Sequence, residues 1–161
     1  MRIIRALAAG AAAGAAGTTA LNTLTYLDMV WRGRPASSTP EATVEKLADV
    51  TGLTIKGNEE ERTNRIAGLG PLTGLAVGAG VGAVLGLARE AGCRPGLLGS
   101  SLTAAAGALI GSNGPMTVLG ITDPRTWSPA DWASDIIPHL AYGVVTAATL
   151  QALRPGLPRR R

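Results

Sequence analysis

Asp135, His139, Tyr142, Thr146 and Thr149 follow one another at spacings of four, three, four and three residues. On an α-helix such steps keep side chains on one face. A carboxylate, an imidazole, a phenol and two hydroxyls are therefore predicted to form one polar stripe. Asp135 and His139 stand a single turn apart, so the carboxylate can reach the ring. Thr18, Asn22 and Thr25 make a similar face early in the chain, with Asp28 one turn further along. Were the two faces to meet, Asp28, Asn22, Asp135, His139 and Tyr142 would form one cluster. That cluster has a bland reading, in which His139 and Tyr142 hydrogen-bond between helices and hold them together. It has a sharper one, a proton- or ligand-responsive pocket in which neighbouring carboxylates tune His139. Two carboxylates and an imidazole could also ligate a divalent ion, but no second His and no nearby Cys accompanies them. No metal or cofactor is therefore expected.

Other chemistry is sparse. Gly99-Ser100-Ser101 has no base beside it in the sequence, and the glycine-rich run Gly78–Gly86 lacks the lysine and preceding strand of a phosphate loop. Glu59, Glu60 and Glu61 read as a helix start rather than a catalytic group. Cys93, beside Arg94, is the single cysteine. It excludes an internal disulfide and reads as a bystander thiol, with lipidation or redox sensing as the alternatives. A catalytic role is not expected.

The elements that must position these residues follow from charge. Charged residues are 16% of the chain, against roughly 25% in an ordinary soluble domain, and the mean hydropathy is +0.22. Residues 6–27, 66–88, 95–122 and 136–153 carry no charge at all. Each gap is near or above the ~18 residues needed to cross a hydrocarbon layer. The predicted fold is all-α, a single integral membrane domain over residues 1–161. It is a four-helix bundle with helices at about 3–31, 66–88, 96–119 and 129–153. The first segment also has the basic start and small-residue core of a secretory signal, although its apolar stretch runs on toward Val30.

The polar loop 32–65 is predicted to hold a short amphipathic helix. Thr39-Pro40-Glu41 reads as N-cap, first-turn proline and first-turn acid, and Gly52 as the stop. Asn58 to Glu61 reads as a second capping signal. A kink or stop is expected at Asn113-Gly114-Pro115, a bend at Pro138, and a helix start at Ser128-Pro129 with Asp131.

Gly70, Gly74, Gly78, Gly82 and Gly86 recur every fourth residue. Glycine costs about 1 kcal/mol in a helix interior in water, so five in register imply that another backbone approaches closely. In lipid, small-residue stripes permit that approach. The partner is either another helix of this chain or the same helix of a second copy.

Four crossings put both termini on one side with Arg2, Arg5, Arg89, Arg94, Arg154, Arg159, Arg160 and Arg161, opposed by one acid, Glu90. Basic residues beside short loops mark the cytoplasmic side, so both termini are expected there. The high isoelectric point, about 10.0, does not point to nucleic acid, because no aromatic-interleaved basic patch accompanies it.

Gly10-x3-Gly14 with Thr18-Thr19 in the first helix, and Pro138-His139-Leu140-Ala141-Tyr142-Gly143 in the last, resemble the YagU-like family of small bacterial inner-membrane proteins. The resemblance implies four membrane helices, the last carrying His-x-x-Tyr-Gly, in the cytoplasmic membrane of a bacterium, and no catalytic residue. The polar loop and the Trp-rich segment before the last helix depart from that pattern. The expected function is a structural or accessory membrane bundle held by glycine packing, its partners being the lipid bilayer and either a second copy or a membrane protein. The alternative is a small transporter, channel or pH-responsive stress protein using the Asp/His/Tyr cluster.

Overall fold

In the computed structural model, which describes residues 1–153, those residues form five α-helices and one 3-10 turn, with no strand among them. The fold is all-α. Helix α1 spans Arg2–Arg32, α2 Thr39–Thr51, α3 Glu59–Glu90, α4 Leu97–Val118 and α5 Pro129–Ala152, with the 3-10 turn at Pro124–Thr126 between α4 and α5. The four long helices close a ring, α1 against α3 and α5, α4 against α5 and α3, and α2 rests on α3. Two of them, α1 and α3, are long and apolar enough to cross a membrane. The basic tail Arg154–Arg161, assigned above to the cytoplasmic side, lies outside the described residues.

Helix boundaries follow local chemistry. Gly52 closes α2 in the left-handed conformation, φ 68°, which costs glycine little. The N-cap of α2 is Ser38 rather than Thr39, one residue earlier than the sequence suggests. Asn58 caps α3 in a reciprocal box with Glu61, and Ser128 caps α5 in the same way with Asp131. The Asn58 box does not start a separate short helix. It starts α3 itself, which runs without a break through Pro71 to Glu90. The charged residues 59–65 are thus the first two turns of the glycine-striped helix. Pro115 does not end α4 either. The helix continues to Val118, and Gly120, φ 72°, then turns the chain.

The glycine stripe meets a helix of the same chain. Ala6, Gly10 and Gly14 of α1 lie opposite Gly86, Gly82 and Gly78 of α3. Numbers rise on one helix as they fall on the other, so the pair is antiparallel, stepping one turn at a time. A Cβ on Gly10 would run into the Gly82 carbonyl, and one on Gly82 into the Gly10 carbonyl. The Cα–H bonds that occupy those directions therefore point at oxygens, the geometry of reciprocal Cα–H···O contacts. The stripe is not one continuous contact, however. Gly70 meets Pro40 and Glu41 at the start of α2, and Gly74 meets nothing within 4 Å. The seam ends at Thr18, whose side chain sits over Gly78 and holds the two backbones apart beyond that point.

The interior is built from small groups. Ala13, Ala104, Ala105, Ala108 and Ala147 are buried beside Leu85, Leu150 and Tyr142, and the largest fully buried side chains are Tyr142, Thr146 and Ser100. Many large apolar residues point outward instead, among them Ile4, Leu72, Val84, Leu98, Ile110 and Val144.

Candidate functional site

Two helices bring the polar stripe together. On α4, Gly107 and Gly111 face Val81 and Val77 of α3. The next residue, Ser112, is half-buried and faces α5. On α5, the capping box at Ser128 fixes where the helix begins, which places Asp135 and His139 two and three turns in.

His139 is buried. Its Nδ1 lies 2.7 Å from the backbone carbonyl oxygen of Asp135 and 3.4 Å from the Asp135 carboxylate. A carbonyl oxygen only accepts, so Nδ1 must carry the proton. In a neutral ring Nε2 is then the acceptor. It faces Ser112 Oγ at 3.3 Å. Asn113 Nδ2 donates to the other Asp135 carboxylate oxygen at 2.7 Å. The imidazole and the carboxylate thus each make one link from α5 to α4.

Tyr142 makes the link to α3. Its ring is fully buried, and its hydroxyl donates to the Gly78 carbonyl at 2.6 Å. Gly17 of α1 approaches so closely that a Cβ there would strike Tyr142 and Thr146. Thr146 Oγ1 has no hydrogen-bond partner among the described residues. It stands instead against the Gly17 backbone, where a weak Cα–H···O contact is the available partner. Thr149 is half-buried.

The α1 face does not join this group. Thr18 donates to the Gly14 carbonyl of its own helix at 3.0 Å, and Asn22 is exposed. Asp28 is held by Arg32 at 2.7 Å and by Arg34 at 2.5 Å. Arg32 also donates to Ser134, so Asp28 stands at the same end of the bundle as Asp135 while its charge is spent on two arginines. Among the described residues, no three His, Cys, Asp or Glu side chains gather to hold a metal ion.

Around the node, the loop into α5 is tied down locally. Trp127 donates to Thr122 at 2.9 Å and packs edge-on against Trp132, ring centres 5.0 Å apart. Asp123 accepts from the Arg125 guanidinium at 2.8 Å and from the Arg125 backbone at 3.0 Å. Those bonds hold its carboxyl below the usual range. An open cleft of about 400 Å³ lies at the opposite end of the bundle, lined by Arg89, Arg94, Pro95, Gly96 and Gln151.

Ser112 and Asn113 were not singled out by their sequence context, where they sit in an apparent helix breaker. A usable signal existed. Ala104, Ala108 and Ser112 repeat at intervals of four, and the alanines are the buried face of α4, so Ser112 had to point inward. Comparison of the chain with protein-family models, with curated proteins and with solved structures finds no match.

Proposed function

We propose that the protein is an integral membrane four-helix bundle with a structural or accessory role, assembled by backbone contact rather than by burial of large side chains. The observation that carries this reading is an inverted distribution of bulk. Leu98 is 73% exposed and Ile110 72% exposed on α4, while Ala104 on the same helix is 1% exposed. In water, burying alanine and glycine while exposing leucine gives little hydrophobic drive and a sticky surface. In lipid the drive between helices is absent in any case, and close small-residue packing takes its place.

Lengths agree with this reading. At 1.5 Å per residue, the 22 residues of α4 span about 33 Å and cover a hydrocarbon layer of about 30 Å. The 32 residues of α3 run to about 48 Å, and its first two turns are the charged ones. These would stand in water, with α2 packed beside them and Arg62 paired to Glu45 at 2.8 Å.

Orientation follows from the two ends. Trp31, Trp127 and Trp132 all lie at the end where α1 finishes and α5 starts, whereas Arg2, Arg5, Arg89 and Arg94 lie at the other. The Trp end carries Arg32, Arg34 and Arg125 too, but these pair with Asp28 and Asp123, and the arginines beside the short loop at the other end suit a bundle with its N-terminus in the cytoplasm of a bacterial cell.

Fractionation of cells expressing the full chain tests the reading. The protein should sediment with membranes, resist alkaline carbonate and need detergent for extraction. Cys93, exposed and the single cysteine, should react with an impermeant maleimide only after the cells are opened. A folded monomer in buffer without detergent would refute the membrane assignment. Labelling of Cys93 in intact cells would refute the orientation alone.

A further inference from the structure

We propose that His139 is a reversible proton-binding site at the α4–α5 contact, and that the Ser112 hydroxyl is the rotor that lets the ring carry either charge without losing a hydrogen bond. The inference needs only the packing of those two helices and is independent of the membrane assignment.

Donors and acceptors around the ring decide what it can bind. Nδ1–H is fixed by the Asp135 carbonyl at 2.7 Å. In the neutral ring Nε2 is a lone pair, and the Ser112 hydroxyl can donate to it across 3.3 Å. In the cation Nε2 becomes a donor, and a Lys or Arg in place of Ser112 would then face it with an N–H. A hydroxyl does not have this problem, because it has one proton and two lone pairs. Ser112 Oγ already lies 2.8 Å from the Ala108 carbonyl. Its proton can turn there, which leaves an oxygen lone pair to accept from Nε2–H. The serine thus has three acceptors for one proton, Nε2 and the carbonyls of Ala108 and Leu109, the last at 3.3 Å, and the protonation state of His139 decides whether the ring is the one used. A buried polar group left unpaired is costly, and this arrangement avoids the cost in both states.

Charge is matched as well. The Asp135 carboxylate stands 3.4 Å from Nδ1, and its side chain keeps 20% exposure against 10% for the His139 side chain. It is the more solvent-accessible member and offers a route for the proton from water. The other surroundings are neutral or already paired. Helix α4 presents Ser112 and Asn113, and α3 carries no charged residue between 66 and 88. On α1, Asp28, Arg32 and Arg34 pair with one another. One carboxylate therefore faces one imidazole, and a single proton is the ligand.

The test uses the fact that His139 is the only histidine. The full chain, labelled with ¹⁵N in histidine alone and held in detergent micelles, gives one pair of ring nitrogen signals. These are followed from about pH 9 to about pH 4, a span that brackets ordinary histidine chemistry. At high pH the neutral ring should carry its proton on Nδ1, the reverse of the tautomer favoured in water. Ser112→Ala should lower the ratio of protonated to neutral ring at a given pH by about tenfold. That is the difference between losing a charge-assisted and a neutral hydrogen bond. Ser112→Thr, which keeps the hydroxyl, should restore the parent ratio. Asp135→Asn should lower the ratio but leave the Nδ1–H tautomer in place, because the backbone carbonyl sets it. A neutral ring protonated on Nε2, a ring that takes up no proton down to pH 4, or a Ser112→Ala titration that overlays the parent would each overturn the proposal. The helical circular dichroism of each variant separates these results from simple unfolding.

Discussion

Gly82→Ala is the sharpest perturbation of the fold, because it adds one methyl group where two backbones touch. The new Cβ would lie 2.7 Å from both Cα and N of Gly14, and nearer still to the Gly10 carbonyl oxygen. Unstrained carbon contacts sit at about 3.5–4.0 Å, so the α1–α3 seam must open by about 1 Å at this level. The listening atoms are backbone, which cannot rotate away. A gap of that size forfeits a quarter to a half of each dispersion contact along the seam. Overpacking at comparable sites costs about 1–3 kcal/mol. Alanine regains at most about 1 kcal/mol through its better helix propensity, and less in lipid, where the separated helices stay helical. The net expectation is a loss of about 1–2 kcal/mol.

Gly80→Ala is the matched control, since nothing lies within 4 Å of a Cβ there. It should be neutral or slightly stabilising. Thermal unfolding in one detergent, followed by circular dichroism, should place the Gly82→Ala midpoint below that of Gly80→Ala. The expected gap is on the order of 2–8 °C by the usual scaling for chains of this length. Equal midpoints would refute the backbone seam, whatever becomes of the membrane assignment.

Other expectations can be checked in the same preparation. Tyr142→Phe removes a buried hydroxyl bonded to Gly78 and should cost about 1 kcal/mol without loss of helix content. Ser128→Ala deletes one half of a capping box and should cost about 1 kcal/mol, with faster amide exchange confined to the first turn of α5. Gly74→Leu should be tolerated and Gly78→Leu should not, because only the second faces a neighbour; detergent stability of the two separates them. Acid should loosen the 124–126 turn. Asp123 has its carboxyl held low by Arg125, so its contribution is full above the ordinary carboxylate range and is lost as pH falls through the depressed folded value. The Arg125 amide signal should therefore move only in strong acid, and Asp123→Asn should abolish that movement.

Much of this architecture was legible because it rests on short-range rules. The Asn58 and Ser128 caps, the Gly52 stop and the charge-free segments each depend on residues within a few positions of one another. Charge alone bounds the segment at about residue 66, later than the Glu59 at which α3 begins. Capping geometry, not polarity, decides where a helix begins, and the Glu59–Arg65 turns are helical although they are hydrophilic. The glycine stripe announced close packing, but its periodicity is the same at Gly74 as at Gly78. Only the position of Thr18 on another helix tells them apart. The polar node was half visible. Spacing put Asp135, His139 and Tyr142 on one face, but Ser112 is 27 residues away in sequence, and no spacing rule reaches that far. Asp28 stays apart from His139 because Arg32 and Arg34, which lie where the helix ends, hold its carboxylate, and no periodicity on α1 signals that pairing.

The antiparallel seam between α1 and α3 has a consequence for biogenesis. Its two halves are separated by the whole hydrophilic connection and emerge from the ribosome at different times. Until α3 arrives, Gly10 and Gly14 have no backbone to meet, and the first helix presents an incomplete surface. A protease that clipped the leading segment would strip the cover from Gly78, Gly82 and Gly86 at once, so the part that looks most like a disposable address label is the one the remaining helices are built around.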